Sequence, residues 1–192
     1  MDKQLAELAN KVRVFFCDSD GVMFPNTVWM GAPFKAKYRS YYDGQGISLL
    51  RAVGIRVVFI TSEKNDAAAA IRESIEKWNQ LPSSKSLENP QGWEHVILYE
   101  GFGSTKKLES AKEFLDQNNL TLDSAAYMGD DLVDIALLQA VALPAAPASA
   151  EEAIKKICRF VSSRDGGEGA VRDFANMILE IRGIDPFTLP AQ

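Results

Sequence analysis

The chain has 192 residues, 46% of them hydrophobic, and a formal net charge of −5 at pH 7. This length and apolar share suffice for a full core, so we expect residues 1–192 to form a single domain. The acidic balance argues against nucleic acid or an anionic membrane as a partner. The two cysteines form neither a disulfide framework nor a metal-spaced pair, which is typical of a reducing cytoplasm, and no window approaches a membrane span.

Strand-like and helix-like segments alternate along the chain. The N-terminal segment has the helical spacing of Leu5 and Leu8. The predicted strands are residues 12–17, 56–60, 96–99, 125–128 and 158–161. The predicted helices are residues 47–53, 66–78, 107–118, 132–140 and 170–181. This alternation predicts an α/β fold in which helices cover both faces of a parallel sheet, giving three layers.

Two segments interrupt the alternation. Residues 22–42 are aromatic and carry turn signals at Pro25-Asn26 and Met30-Gly31-Ala32-Pro33, so they predict a β-hairpin or flap after the first strand. Residues 79–94 are polar and predict a loop, either a surface elaboration or a partial lid. His95, the only histidine, follows this loop, and we expect it to have a structural role.

Polar side chains follow three of the predicted strands. They are Asp18 and Asp20 after the first strand, Thr61 and Ser62 after the second, and Asp130 after the fourth. In an open parallel sheet, ligands bind beyond the carboxyl ends of the strands. One aspartate in such a place can be a turn former or a helix cap. Three polar strand ends in one domain predict a catalytic site instead.

These residue types match the needs of phosphate-ester hydrolysis. Asp18 is the candidate nucleophile, which would form an aspartyl phosphate. Asp20 is the candidate acid and base, which would protonate the departing alcohol and then activate water. Mg²⁺ prefers hard oxygen ligands, so the carboxylates of Asp18 and Asp130 and the backbone carbonyl of Asp20 form the predicted metal site.

The phosphate group needs cations and donors of its own. The Thr61 hydroxyl and the Ser62 amide can bind phosphoryl oxygens at a helix N-terminus. Lys107 directly precedes the apolar stripe of its helix and is the candidate that would bridge the phosphate and Asp18. Its neighbour Lys106 is the alternative.

Together these motifs resemble those of the haloacid dehalogenase superfamily. The resemblance is carried by Asp18-Ser19-Asp20-Gly21-Val22, Ile60-Thr61, Lys107, and Tyr127-Met128-Gly129-Asp130-Asp131-Leu132-Val133-Asp134. Residues 42–47, 143–150 and 166–172 further resemble the small capless branch. That branch contains the 3-deoxy-D-manno-octulosonate 8-phosphate phosphatases and the 2-keto-3-deoxynononate 9-phosphate phosphatases. The match covers residues 11–182, and the spacing of the motifs leaves little room for a cap domain.

The resemblance implies a Rossmann-like domain, Mg²⁺, and hydrolysis of a phosphorylated 3-deoxy-2-ulosonic acid. A small sugar-acid phosphate is then the expected partner, and lipopolysaccharide biosynthesis the expected setting. The resemblance also implies a homotetramer in which the hairpins form a central barrel. A neighbouring subunit would then close the active site in place of a cap.

Three residues are candidates for selecting the substrate. The octulosonate phosphatases read Thr-Gly-Arg where this chain reads Thr61-Ser62-Glu63-Lys64, and the Glu-Lys pair resembles the nononate phosphatases. The alternative for Glu63 and Lys64 is a solvated first helical turn. Arg172 follows a glycine-rich turn that in the family comes close to a bound sugar acid, and an arginine suits a carboxylate. Its alternative is an ion pair with Asp173 or Glu168.

Two other functions remain open at this stage. The altered residues after Thr61 fit a phosphatase that accepts many small phosphate esters. A non-catalytic assembly module is the second alternative, because related domains fused to sialic-acid-activating enzymes serve in oligomerisation. Such modules lose members of the acid set, whereas Asp18, Asp20 and Asp130 are all present.

Overall fold

The computed structural model describes residues 2–31 and 34–190. The strands are β1 (Val14–Cys17), β2 (Trp29–Gly31), β3 (Phe34–Ala36), β4 (Arg56–Thr61), β5 (Ile97–Glu100), β6 (Ala125–Met128), β7 (Leu143–Ala146) and β8 (Phe160–Val161). The helices are α1 (Lys3–Lys11), α2 (Tyr41–Ala52), α3 (Ala69–Asn79), α4 (Thr105–Gln117), α5 (Ile135–Leu138), α6 (Glu152–Lys155) and α7 (Ala170–Ile181). Within the described ranges, no helix combines the length and the apolar character needed to cross a membrane.

Six strands form one parallel sheet in the order β5-β4-β1-β6-β7-β8. Strand β1 lies in the middle and is buried along its whole length. A strand covered on both faces needs apolar side chains throughout, and Val14-Phe15-Phe16-Cys17 supplies them. The chain runs from β1 to β4 and β5 on one side, and β6 to β8 lie on the other. This reversal creates a crevice beyond the carboxyl ends of the central strands, where ligands bind in such sheets.

Helices cover both faces of the sheet. Successive side chains of β1 point to opposite faces, so Phe15 and Phe16 enter different layers of the core. Phe15 stacks on Phe174 of α7 with ring centroids 4.6 Å apart. Phe16 meets Phe114 of α4 edge-on at 5.9 Å on the other face. The predicted three-layer α/β/α arrangement is confirmed.

Helix α2 begins six residues earlier than the predicted start at residue 47. Ser40 caps it by accepting a hydrogen bond from the Tyr42 amide. Gly44 and Gly46 hid this first part from the sequence pattern, since glycine disfavours helix interiors. Gly46 has a packing reason, because a Cβ there would lie 2.9 Å from the Arg172 backbone. Close packing of α2 against α7 therefore requires a residue without a side chain.

Strand β7 was missed by the sequence pattern. Its Pro144 has no N–H to give to a ladder, and proline is rare in central strands. The Pro144 carbonyl nevertheless accepts a hydrogen bond from the Arg159 amide at 2.9 Å. The predicted strand 158–161 shortens to Phe160–Val161 at the edge of the sheet.

The segment after β1 contains the predicted hairpin. Strands β2 and β3 pair antiparallel, with Trp29 opposite Ala36. The predicted turn at Ala32-Pro33 lies outside the described residues. No separate cap domain occurs in residues 2–31 and 34–190, in agreement with the sequence prediction.

The polar segment 79–94 lies at the amino ends of the strands, because α3 has just ended there and β5 is about to begin. The buried guanidinium of Arg51 holds it by donating to the Glu94 carbonyl, the Trp78 carbonyl and the Ser84 hydroxyl at 3.1, 2.9 and 2.9 Å. His95 Nε2 lies 2.8 Å from the Lys85 carbonyl of the same loop. The segment is therefore a surface elaboration and does not cover the carboxyl ends of its own sheet.

Candidate active site

The carboxyl ends of β1, β4 and β6 open into one cavity of about 420 Å³. Its lining residues are Asp18, Asp20, Asn26, Thr61, Ser62, Glu63, Asp130, Asp131 and Val133. Asp18 directly follows β1, Asp130 lies two residues after the end of β6, and Thr61 is the last residue of β4. The sheet thus brings the predicted acids and hydroxyls to the same place.

Lys107 lies beneath the cavity, on the first turns of α4, and is fully buried. Its Nζ is 2.8 Å from Asp18 Oδ2 and 2.7 Å from Asp134 Oδ1. Its neighbour Lys106 is exposed. Of the two lysines that the sequence offered, Lys107 is the one that contacts the candidate nucleophile.

Asp134 and Tyr127 belong to this cluster but were given no role from the sequence. Asp134 Oδ1 accepts hydrogen bonds from Lys107 and from the Tyr127 hydroxyl, the latter at 2.5 Å. Asp134 Oδ2 accepts from the Asp130 and Asp131 amides at 3.0 and 3.2 Å. Asp134 therefore fixes both Lys107 and the backbone that carries Asp130. Its sequence signal is its place at the end of the motif 127–134, four residues after Asp130.

The cluster holds more negative than positive charge, and this shifts the pKa values. Burial, opposed by Lys107 and reinforced by Asp134, raises the pKa of Asp18 to about 7. Burial and the charges of Asp18 and Asp134 raise the pKa of Asp130 to about 8. Burial alone would lower the pKa of Lys107, but the two carboxylates beside it raise the pKa above its usual value. One lysine does not neutralise this group of acids.

The acids can hold a divalent cation. Carboxylate oxygens of Asp18, Asp130 and Asp134 all lie within 4.8 Å of one another. Asp134 is already saturated by four hydrogen bonds, so Asp18 and Asp130 are the carboxylates left to bind a metal. Gly21, with φ +83°, lets the Asp130 carboxylate approach, because a Cβ there would lie 1.9 Å from Asp130 Oδ2. Two adjacent, incompletely neutralised carboxylates are a suitable site for a hard cation.

The hydroxyl groups after β4 face the same cavity. Thr61 is buried, and its Oγ1 accepts the Glu63 amide at 3.1 Å. An accepting hydroxyl keeps its own hydrogen for a phosphoryl oxygen. Ser62 is exposed and lines the cavity beside it. Both residues therefore lie where the predicted phosphate contacts would be made.

Asp20 lies at the side of the cavity and contacts a residue that the sequence did not indicate. Lys37 Nζ is 2.5 Å from Asp20 Oδ1. Lys37 directly follows β3, whose short sequence contains a second lysine, so spacing alone could not single it out.

Two predicted substrate residues stand apart from this cavity. Lys64 is exposed and is absent from the cavity lining, whereas Glu63 lines it. Arg172 donates from Nε to Asn176 Oδ1 at 2.9 Å. Asp173, a partner considered for Arg172, binds Arg164 instead at 2.5 Å.

Known proteins resemble this chain over most of its length. A sequence profile of the haloacid dehalogenase-like hydrolases matches residues 8–173. The 3-deoxy-D-manno-octulosonate 8-phosphate phosphatase of Yersinia pestis is 31% identical over 175 residues, which are 89% of this chain and 81% of that protein. A crystal structure of a Yersinia pestis enzyme of that name has a TM-score of 0.82 at 25% identity and covers 100% of this chain and 93% of its own. The cobalt-bound deoxy-D-mannose-octulosonate 8-phosphate phosphatase of Haemophilus influenzae has a TM-score of 0.76 at 25% identity, covering 94% and 92%.

The family profile spans the segments that carry the acids, the hydroxyls and the lysine of the cavity. The alternative of a non-catalytic assembly module is therefore not supported. The chain belongs to the haloacid dehalogenase-like hydrolase family, and it is a phosphatase with no separate cap domain among the residues described.

Proposed function

We propose that the chain is a Mg²⁺-dependent phosphatase that hydrolyses the phosphate monoester of a 3-deoxy-2-ulosonic acid, of the 3-deoxy-D-manno-octulosonate 8-phosphate class. The observation that carries this proposal is that Asp18 lines a polar cavity, where it contacts Lys107 and lies within 4.8 Å of the Asp130 carboxylate. The names of the relatives support the substrate class.

In the first proposed step, a carboxylate oxygen of Asp18 attacks phosphorus, and the bond from phosphorus to the sugar oxygen breaks. Asp20 gives its proton to the departing sugar oxygen, which leaves as an alcohol. Lys107, the Thr61 hydroxyl and the Ser62 amide offset the charge on the phosphoryl oxygens. The product of this step is an aspartyl phosphate on Asp18.

In the second step, Asp20 takes a proton from a water molecule that attacks the same phosphorus. The bond between phosphorus and the Asp18 oxygen breaks, which releases inorganic phosphate and restores the Asp18 carboxylate. Asp20 is again protonated and ready for the next substrate. Atoms and protons balance over the two steps, and one water is consumed.

The residues that would hold Mg²⁺ are the carboxylates of Asp18 and Asp130 and the backbone carbonyl of Asp20. When bound, the ion supplies positive charge that stabilises the developing charge on the phosphoryl group. The acidic cluster and its raised pKa values support this assignment.

A nononate 9-phosphate is the second candidate substrate, and Glu63 favours it. Glu63 lines the main cavity and also a smaller cavity of about 160 Å³ beside Asp20 and Lys37. An acidic side chain there can accept hydrogen bonds from sugar hydroxyls. Roles for Lys64 and Arg172 in choosing the sugar acid are also part of this proposal, although neither residue lines these cavities.

We also propose that residues 1–192 form one domain and that the protein assembles as a homotetramer in the cytoplasm. Exposed apolar side chains on the hairpin support assembly, since Trp29 and Met30 are 74% and 76% exposed. Such a patch is typical of a protein interface. Two free cysteines, Cys17 and Cys158, support a reducing compartment.

The test is phosphate release from both ulosonic acid phosphates and from a panel of simple phosphate esters, with Mg²⁺ and with a chelator. We expect activity only with the metal, and a preference of about a hundredfold for one ulosonic acid phosphate, which corresponds to about 2.7 kcal/mol of differential binding. A flat profile over the panel would instead support a broad phosphatase. Activity on other esters but on neither sugar acid would reject the substrate class.

A further inference from the structure

Lys37 and Asp20 form an ion pair at the base of the hairpin. The Lys37 side chain is only 3% exposed, and its Nζ lies 2.5 Å from Asp20 Oδ1. The ammonium also lies 5.6 Å from the centre of the Phe24 ring. A lysine withdrawn from water in this way needs an acceptor, and Asp20 Oδ1 can accept its hydrogen bond whether the carboxyl group is ionised or protonated. The contact therefore defines where the Asp20 carboxyl group sits.

The two oxygens of Asp20 have different surroundings. Oδ1 contacts Lys37, whereas Oδ2 is buried and has no hydrogen-bond partner within the described part of the chain. An unsatisfied buried oxygen is unfavourable, and such groups are typical of functional sites. Because the carboxyl group is planar and rigid, holding Oδ1 also fixes the direction of Oδ2. The Asp20 side chain is 32% exposed and lines the cavity, so the carboxyl group meets a ligand in the orientation that the Lys37 contact sets.

The backbone around Lys37 is itself fastened to the catalytic loop. The Ser40 amide donates to the Gly167 carbonyl at 2.7 Å, and the Gly167 amide donates to the Val22 carbonyl at 2.8 Å. Val22 lies two residues after Asp20, and Ser40 lies three residues after Lys37. Two successive hydrogen bonds through the turn at Gly167 therefore connect the segment that carries Lys37 to the loop that carries Asp20.

We propose that Lys37 is a positioning residue that orients Asp20 for proton transfer to the leaving alcohol. This inference rests on the proposed phosphatase mechanism, in which the phosphorus–oxygen bond to the leaving group breaks as Asp20 gives that oxygen a proton. Lys37 neither gains nor loses a proton in this step. It acts only through the position of the Asp20 carboxyl group.

The experiment compares two leaving groups. An alkoxide from an alkyl phosphate is strongly basic and needs the Asp20 proton, whereas p-nitrophenolate is stable without one. General acid catalysis contributes about 10²–10⁴-fold, so we expect Lys37→Met to lower kcat/KM for an alkyl phosphate by about 30-fold. With p-nitrophenyl phosphate we expect less than about a threefold loss, since its leaving group gains little from a general acid. The parameter kcat/KM is used because it reports transition-state stabilisation relative to free enzyme and substrate.

The ratio of the two kcat/KM values does not depend on how much of a preparation is folded, so a partly unstable variant still gives an answer. Lys37→Arg keeps the cation and should restore most of the alkyl phosphate rate. Lys77→Met removes an exposed lysine that pairs with Glu73 in its own helix, and it should leave both rates unchanged. An equal loss on both esters, no loss on either, or a Lys37→Arg variant as impaired as Lys37→Met would each overturn the inference.

A failure of the proposed function can be distinguished from a failure of the inference about Lys37. If the wild-type protein with Mg²⁺ releases no phosphate from any ester, the mechanism itself is wrong. If it cleaves an alkyl ester other than a sugar acid, the same comparison is made with that ester, and the role of Lys37 is still decided.

Discussion

Two buried cations lie at opposite ends of the same sheet and have different partners. Lys107, at the carboxyl ends of the strands, contacts the carboxylates of Asp18 and Asp134. Arg51, at the amino ends, donates to two backbone carbonyls and to the Ser84 hydroxyl, and its guanidinium lies 5.4 Å from the Trp93 ring. Both side chains are almost fully withdrawn from solvent.

This difference indicates that the carboxyl ends of the strands carry the chemistry, whereas the amino ends contribute to stability. At the carboxyl ends, the acids outnumber the cation and their pKa values are raised into the neutral range. Such a site is prepared to take up a metal ion and a phosphate. At the amino ends, neutral acceptors satisfy Arg51, and burial lowers its pKa to about 10, so it stays charged. That end holds a polar loop in place, and its one positive charge is engaged in hydrogen bonds to the loop and to the end of α3.

The largest effect is expected from Asp18→Asn. The amide is a poor nucleophile, so kcat should fall by about 10⁴-fold or more. Because Lys107 keeps Asp134 as a partner, the free energy of unfolding should change by less than about 1.5 kcal/mol. Phosphate release and urea denaturation measure the two quantities. Retained turnover would defeat the assignment of Asp18 as nucleophile.

The second-largest loss of activity is expected from Lys107→Met. It leaves Asp18 and Asp134 without their cation and removes a charge that offsets the phosphoryl oxygens, so we expect a loss of about 10²–10³-fold in kcat/KM. Lys106→Met is the matched control, because Lys106 is exposed on the same helical turn. A comparable loss in both variants would mean that helix α4, and not the buried ammonium, sets the rate.

Arg51→Met tests the other end of the sheet. It leaves two carbonyls and a hydroxyl without their donor, and the free energy of unfolding should fall by about 3 kcal/mol. The activity of the folded protein should stay within about twofold of wild type, since the change lies far from the cavity. Arg159→Met, at an exposed arginine, is the control for stability. A large loss of kcat in folded Arg51→Met would mean that the amino ends of the strands also contribute to catalysis.

The dependence on pH tests the acids at the carboxyl ends without a mutation. In the metal-free protein, Asp18 and Asp130 hold protons below pH values of about 7 and 8. Metal ligands must be deprotonated, so Mg²⁺ affinity should rise with pH up to about 8. It should weaken by about tenfold per unit between pH 8 and 7, where one proton competes, and by about a hundredfold per unit below pH 7, where two compete. Calorimetry in two buffers of different ionisation enthalpy measures the protons released. A constant affinity between about pH 6 and 8.5 would contradict this.

The raised pKa values of Asp18 and Asp130 also affect the stability of the fold. Folded-state pKa values above the ordinary aspartate value mean that the folded, metal-free protein binds more protons than the unfolded chain. Its free energy of unfolding should therefore fall as pH rises from about 4 to 8, and Mg²⁺ should oppose this decline.

The sequence indicated those parts of the site that depend on strand ends. Asp18, Thr61 and Asp130 each stand at or just after a buried strand, and Lys107 precedes an apolar helical stripe, so local pattern was enough. Asp134 was part of a recognised motif but was given no role, because that role is to bind Lys107, a residue that only the folded chain brings near. Lys37 was missed for the same reason, as its partner lies across the hairpin.

In the fold, too, elements set by local pattern were predicted and elements set by tertiary contacts were missed. The central strands were predicted because continuous apolar runs are typical of buried parallel strands. Strand β7 was missed because Pro144 resembles a loop residue until its carbonyl finds the Arg159 amide. The start of α2 was missed because Gly44 and Gly46 lower the local helix propensity. Gly46 is required for packing against α7, a contact that local propensity does not contain.

The loop that Arg51 holds has a practical use in labelling chemistry. Leu87 projects fully into solvent from this loop, at the end of the sheet remote from the cavity. Burial raises the pKa of Cys17 well above its usual value and that of Cys158 to about 12, so neither native thiol forms much thiolate at neutral pH. A cysteine introduced by Leu87→Cys would therefore react first with a maleimide dye or a surface linker. The enzyme could be immobilised or tagged there with its catalytic face pointing away from the support.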